Sequence, residues 1–333
     1  MAMKKFINDP ANLTKELLEG LALAYADRVK IVGEKIVVRA NPKAEDKVAI
    51  LTLGGAGHEP ALSGFVGEGM LDASVVGDIF AAPGAPKVLE ALRMFKRDAG
   101  ILLVVLNHAG DVMSASKAVR DARKEGIKVA EILTAEDISA GLDVPVEDRR
   151  GLGGCIPLYK VVGAAAEMGK SLDEILDIGE RFNKQMATLA VAMTGCTHPQ
   201  NGGVIAQLPD DEMEIGMGQH GEAGGGRSKI LTADETAFRM IDQLIKATAV
   251  KSGDRVMLVM NGVGATTPME MLIVFRAAAK RLQENGIAVA KGLVDELLTV
   301  QEMAGFQMIL CKLDKDHEEL LSKRASSPYW SVA

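Results

Sequence analysis

Short apolar runs alternate with segments of helical periodicity along almost the whole chain, and this alternation limits the fold more than any other feature. Residues 100–107 (Gly-Ile-Leu-Leu-Val-Val-Leu-Asn) are apolar at odd and even positions alike, so a strand here must be covered on both faces. Residues 48–53, 72–77 and 128–133 are strands of the same kind, and 85–98 and 112–125 read as helices between them. Strands buried on both faces and separated by helices imply a largely parallel sheet with helices on either side. A helix over 12–26 precedes this set, and helices over 157–169 and 171–185 follow it. In the last of these Ser171 and Glu174 have the spacing of a capping box.

The pattern restarts near residue 186. Strands are expected at 187–193, 214–217, 255–261, 287–293 and 306–313, and helices at 233–248 and 268–285. The fold class is therefore α/β, as two α/β domains, each a mostly parallel sheet flanked by helices. Residues 1–185 form the first domain and 186–333 the second, with the boundary between 183 and 187. A chain of 333 residues is long for a single core. Aromatic residues are only 4%, so the interior is built from Leu, Ile, Val, Ala and 17 Met.

Composition removes several classes of function. A net charge of −7 disfavours nucleic acid and anionic membranes, which both require a basic face. No apolar run approaches the roughly 18–20 residues that span a bilayer, and the N-terminus lacks the apolar core of a signal peptide. Cys155, Cys196 and Cys311 are far apart, odd in number and without a C-x-x-C pair, so neither a zinc site nor a disulfide framework is indicated. The expectation is a cytoplasmic protein.

In open parallel sheets ligands bind outside the carboxyl ends of the strands. Three segments lie there: Leu53-Gly54-Gly55-Ala56-Gly57-His58-Glu59-Pro60, Asn107-His108-Ala109-Gly110-Asp111, and the stretch from Glu214 to Arg227 that carries His220 among six glycines. The first could cradle a phosphate, but it matches neither G-x-G-x-x-G nor a P-loop. Delivery of His58 and free backbone N–H groups to a small polar ligand fits it better. Asp111 reads first as a helix N-cap, His108 and His198 as polar loop residues, and His317 as a solvated residue in the charged stretch 314–319. Glycines let the His220 loop turn tightly and approach a ligand, where an imidazole can attack an electrophile or hold a proton. The alternative is a tight turn whose histidine faces water. No spacing supports a metal held by these histidines.

Taken together, Gly54-Gly55-Ala56-Gly57-His58-Glu59-Pro60, residues 64–71, Gly110-Asp111-Val112-Met113, Arg149-Arg150-Gly151, residues 163–167, residues 211–216, His220-Gly221-Glu222 and Glu302-Met303-Ala304-Gly305 resemble the substrate-binding subunit of dihydroxyacetone kinases. The landmarks run from about residue 6 to Trp330 in that family's order. The resemblance implies a two-domain α/β subunit that dimerises and binds a short ketose. It assigns His220 as the residue that forms a covalent hemiaminal with the substrate carbonyl, Asp111 as the acceptor of the attacking hydroxyl's proton, and His58 as the group that polarises the carbonyl or shuttles protons. Gly55, Ala56 and Gly57 match the backbone positions that hydrogen-bond substrate hydroxyls. A covalent bond to the carbonyl selects ketoses over glycerol and fixes a hydroxymethyl arm for transfer.

Single-chain members of that family carry an additional helical nucleotide-binding domain. The resemblance therefore implies that this chain binds no cofactor or metal, and that Mg-ATP, or Mg-ADP recharged by a phosphotransferase-system carrier, resides on a separate subunit. Three departures from the family pattern are present: Leu106 in place of a substrate-contacting lysine, Leu62 in place of a histidine shortly after Glu59-Pro60, and Glu296-Leu297 in place of an Asn-Tyr pair toward the C-terminus. They suggest a different ketose, such as erythrulose, or a changed partner surface. The runner-up reading is a ketose-binding regulator that controls a transcription factor without turnover. A third, a fatty-acid carrier on a related fold, requires an apolar tunnel.

Overall fold

The apolar runs become the strands of two separate sheets in a computed structural model, which describes residues 4–333. The first unit comprises Lys4–Thr134, Cys155–Arg181 and Glu319–Ala333; the second comprises Ala135–Gly154 and Phe182–Glu318. A division into 1–185 and 186–333 differs from this in two segments. Residues 135–154 go with the second unit, where Asp137 bridges Thr188 and the Gly153 N–H donates to Gln307 Oε1 at 2.9 Å. Residues 319–333 go with the first, where the Ser326 N–H donates to the Glu68 carbonyl at 2.8 Å. Such pairings join residues far apart in the chain and leave no periodic trace.

In the first unit α1 (Leu13–Ala24) leads into β1 (Val29–Val32), β2 (Ile36–Arg39), β3 (Ala49–Ala56), β4 (Ala73–Ile79), α2 (Ala85–Met94), β5 (Ile101–Leu106), α3 (Ala109–Lys124) and β6 (Val129–Thr134). The sheet order is β1-β2-β4-β3-β5-β6, parallel from β4 through β6 and antiparallel at the β1–β2 hairpin and the β2–β4 pair. Leu51, Leu53, Leu103 and Val105 meet Val88, Leu92, Ala118 and Ala122 in one core. Every residue of β5 is buried. On α4 (Cys155–Glu167), buried from Cys155 to Ala166, the Tyr159 hydroxyl reaches Thr52 Oγ1 of β3 at 3.0 Å. In α5 (Leu172–Lys184) the capping box forms: Glu174 Oε2 accepts the Ser171 N–H at 2.8 Å.

The second sheet differs from the mostly parallel one expected. Its strands are β7 (Met186–Ala192), β10 (Glu212–Ile215), β11 (Arg227–Lys229), β12 (Arg255–Gly262), β13 (Ala288–Asp295) and β14 (Gly305–Leu313), with a small ribbon of β8 (Cys196–Thr197) and β9 (Val204–Ile205) beside them. The order is β11-β10-β7-β14-β12-β13, and only β12–β13 is parallel. A parallel neighbour requires a crossover. Of the pairs adjacent in this sheet, only β12 and β13 are joined by a helix, α7 (Pro268–Glu284). Both α6 (Ala233–Thr248) and α7 start with complete capping boxes, Thr232 with Glu235 and Thr267 with Glu270. The chain ends with α8 (Lys315–Ser322), β15 (Ala325–Ser327) and β16 (Trp330–Val332). Among the described residues no helix is long and apolar enough to cross a membrane.

His317, expected in solvent, is wholly buried, its ring 5.1 Å from that of Phe182. The stretch is amphipathic: Lys315, Asp316 and Glu319 face outward while His317 and Leu320 turn in.

Glu136 is one of the buried carboxyls of the second unit, with Asp137 and Glu214. Its Oε1 accepts the N–H groups of Leu152 and Gly154 at 2.8 and 2.9 Å, whereas Oε2 is buried with no hydrogen-bond partner. Burial pushes this carboxyl up from 4.5 to about 7, against the pull of those N–H groups and with a small push from Asp137. The folded state thus holds a proton that the unfolded chain releases near 4.5, so this group's contribution to stability declines as pH rises from about 4.5 through 7. Glu136→Gln is expected to remove a loss on the order of 3 kcal/mol between pH 5 and 8. Urea unfolding at both pH values measures it, and an equally steep decline in the variant would show that Glu136 does not cause it.

Candidate functional site

Within the first unit β3, β4 and β5 are parallel neighbours, so the loops that follow them leave from one edge. The loop after β4 lies against the other two. A Cβ added to Gly55 would stand 2.7 Å from the Ala81 nitrogen, and one on Gly110 would stand 3.2 Å from Ala82 Cβ. Residues 81–82 thereby link the glycine loop that carries His58 to the start of α3 that carries Asp111. His58 is buried, with its ring 4.8 Å from that of Phe80. Gly57, at φ +102°, donates its N–H to both oxygens of Glu59 at 3.1 and 2.9 Å. Burial raises the Glu59 carboxyl to about 7 in spite of these hydrogen bonds.

Asp111 is not the helix N-cap expected from its position after a strand. His108 occupies that place, and Asp111 lies in the first turn of α3. A carboxylate there is stabilised by the positive end of the helix dipole. Its Oδ1 is shielded from solvent. It lies near enough to Tyr159 to help burial and Cys155 push that hydroxyl up.

Of the departures from the family pattern, Leu106, Leu62 and Leu297 are apolar and buried, while Glu296 is half-buried. Leu106 closes β5 in a buried position, and the buried Leu62 would touch a Cβ on Gly54 at 2.7 Å. In the second unit the Leu297 N–H donates to Asn261 Oδ1 at 2.7 Å.

His220 belongs to the second unit, on the long loop of the β10–β11 hairpin. Glu214, at the end of that hairpin, accepts the Gly224 N–H at 2.9 Å and ties the loop back onto its strand. A Cβ on Gly224 would fall 1.8 Å from the Gly216 carbonyl oxygen, so the two arms touch backbone to backbone. At the tip Glu222 turns back on His220. Its Oε2 accepts the His220 backbone N–H at 2.9 Å, and its Oε1 stands 3.1 Å from Nδ1. Burial opposes ionisation of Glu222, but the His220 ring and the backbone N–H groups of residues 222 and 220 outweigh it and bring the carboxyl down to about 2. An ionised Glu222 favours a proton on Nδ1 and with it an unprotonated Nε2, the tautomer that a nucleophilic imidazole requires.

Of the residues singled out in the sequence, His58, Asp111, Gly55, Ala56 and Gly57 thus stand at one strand edge of the first unit, and His220 in the second. Glu222 was not singled out as a site residue; the His-x-Glu spacing was its only signal. Arg150, beside the same loop, is visible in the sequence only as part of the Arg149-Arg150-Gly151 motif, which attaches no role to it.

Comparison with known proteins adds a family. The Dak1 domain matches residues 19–329. The chain is 37% identical over 315 residues to "PTS-dependent dihydroxyacetone kinase 1, dihydroxyacetone-binding subunit DhaK" of Listeria innocua, covering 94% of this chain and 95% of that one. It is 36% identical over 330 residues to "L-erythrulose kinase" of Pectobacterium atrosepticum, covering 98% of this chain and 56% of that protein. The structure of "Dihydroxyacetone kinase operon co-activator Dha-DhaQ" superposes with a TM-score of 0.90 at 30% identity, over 96% of this chain and 98% of that one.

Proposed function

The chain belongs to the Dak1 domain family, and from that premise we propose that it is the ketose-binding subunit of a short-ketose kinase, with His220 as the covalent anchor. The observation that carries this reading is the His220–Glu222 contact at 3.1 Å, which favours a proton on Nδ1 and so gives Nε2 the lone pair that attack on a carbonyl requires. Nε2 adds to the ketone carbon, the C=O π bond opens onto oxygen, and that oxygen takes a proton, for which His58 is the donor. The proton on Nδ1 passes toward Glu222, so the adduct is a neutral hemiaminal. Asp111 then takes the proton of a terminal hydroxyl as its oxygen attacks the transferred phosphoryl group. The Gly55, Ala56 and Gly57 backbone groups hold the substrate hydroxyls.

A nucleotide on a separate subunit supplies the phosphoryl group, as Mg-ATP or as Mg-ADP recharged by a phosphotransferase carrier. The name of the Listeria relative favours the carrier. A homodimer in the cytoplasm, with His58 and Asp111 carried by the first unit and His220 by the second, completes the proposal. Likeness to an L-erythrulose kinase and a co-activator supports two variants, a four-carbon ketose and a regulator without turnover. Asp111 favours the enzyme, because a sensor needs the anchor but no base.

Dihydroxyacetone labelled with ¹³C at its carbonyl tests the anchor. With protein in excess, the carbonyl resonance is expected to give way to a protein-bound tetrahedral carbon. A carbonyl resonance that persists unchanged rejects covalent capture.

A further inference from the structure

Two of the motifs shared with the family, Arg149-Arg150-Gly151 and His220-Gly221-Glu222, meet in the second unit, although 72 residues separate Arg150 from Glu222. The Arg150 guanidinium is held from below by Asp137 and Ser139. Its Nε donates to Asp137 Oδ2 at 2.7 Å, and its NH2 to Ser139 Oγ at 2.7 Å. Ser139 Oγ itself donates to Asp137 Oδ2 at 2.9 Å, so the cradle is closed. From this anchorage Arg150 reaches both arms of the His220 loop. NH2 donates to the Gly216 carbonyl at 2.7 Å, before the histidine. NH1 approaches the Glu222 carbonyl at 3.5 Å and Glu222 Oε2 at 3.9 Å, after it.

Gly218 marks the crossing point. A Cβ there would stand 2.1 Å from Glu222 Oε2 and 2.3 Å from Arg150 NH1. The loop thus passes over the ion pair at a distance only glycine allows. Asp137 is nearly wholly buried and Arg150 mostly so, and five donors in a rigid plane make arginine the side chain that can span three partners at once.

We propose that Arg150 is a positioning residue for His220: it cross-braces residues 216 and 222, and through Glu222 fixes the orientation and tautomer of the imidazole. The inference rests on the reading of His220 as the nucleophile. A lysine at 150 keeps the charge but can reach only one arm of the loop. A displacement of about 1 Å in a reacting group costs on the order of 100-fold in rate.

The test is made on the whole protein with Arg150→Lys and, as a milder change, Ser139→Ala, which removes one leg of the cradle. The first readout is the ¹⁵N spectrum of the His220 ring in the unliganded protein, which reports the brace whether or not a ketose is captured. Wild type is expected to show Nδ1 protonated and Nε2 bare, and Arg150→Lys to move both resonances toward the average of a free histidine. The second readout is the rate of adduct formation with labelled dihydroxyacetone, expected to fall about 10–100-fold in Arg150→Lys and about 3–10-fold in Ser139→Ala, while the KM for the ketose changes less than kcat.

Unchanged ring resonances and capture rates in a folded Arg150→Lys protein overturn the proposal. If that variant does not fold, an unchanged Ser139→Ala protein overturns it equally. A wild-type protein that shows the tautomer but no adduct removes the reading of His220 as nucleophile and leaves the brace standing.

Discussion

Asp111→Asn is expected to leave ketose capture intact while phosphoryl transfer falls by about 10²–10⁴-fold, the usual contribution of a positioned general base. Asparagine keeps the shape of the side chain and a hydrogen-bonding oxygen, so the first turn of α3 and its contact region with Tyr159 should survive. What it loses is the ability to hold the hydroxyl proton. His220→Ala is the complementary change, because it removes the bond to the carbonyl and leaves the base in place. Assayed together, with labelled ketose for capture and a cognate nucleotide subunit for turnover, the two variants separate the anchor from the base. An Asp111→Asn protein that no longer binds ketose would reassign Asp111 to substrate holding, and undiminished turnover would remove it from the chemistry.

Asp72→Ala should be among the most destabilising single changes in the first unit, by about 3–5 kcal/mol. Asp72 is almost completely buried, as is Lys43, whose Nζ donates to Oδ2 at 2.7 Å. Oδ2 also accepts the Ile50 N–H at 2.8 Å, and Oδ1 accepts Arg39 NH1 at 3.1 Å. Alanine would leave a buried ammonium with only the Val48 carbonyl at 3.2 Å and an Arg39 that retains Glu167 at 2.5 Å. The Arg93–Glu125 pair is the control. Its two hydrogen bonds of 2.7 and 2.6 Å are as short, but both side chains lie in solvent, and Glu125→Ala should barely move the urea midpoint. Urea midpoints for the two variants measure the difference; similar values would mean that water reaches the Asp72 cluster.

Much of the fold was legible because strands covered on both faces are apolar at every position. β5 and β7 appear in the sequence within one residue of their true ends, and helical periodicity marks α6 and α7 as clearly. Strand direction in the second sheet was not legible from the runs themselves. It depends on which strands become neighbours, and that neighbourhood is a tertiary fact. β1 and β2, four residues each, are too short to show a period. His317 is misleading in the sequence because five charged residues surround it in 314–319, while its ring packs against Phe182.

The candidate site divides in the same way. His58, Asp111 and His220 are visible because each sits in a loop of unusual composition next to a strand. Their roles come from family resemblance, since no spacing along the chain reports chemistry shared by loops so far apart. Arg150 lay beyond reach for the same reason: its meaning is contained in contacts with residues 137, 139, 216 and 222, and only the first two are near it in sequence.

The interleaving of the two units has a practical consequence for anyone who would dissect the protein. The polypeptide passes between them after Thr134, Gly154, Arg181 and Glu318. A gene cut at 185/186 therefore encodes neither half whole. The downstream fragment would lack the 135–154 stretch, and with it Arg150 and the Gly153 contact to Gln307. The upstream fragment would lack the terminal hairpin whose Ser326 pairs with Glu68. Each half would expose the surface that the missing segment covers, and complementation between the two pieces, rather than independent folding of either, is the behaviour this threading favours.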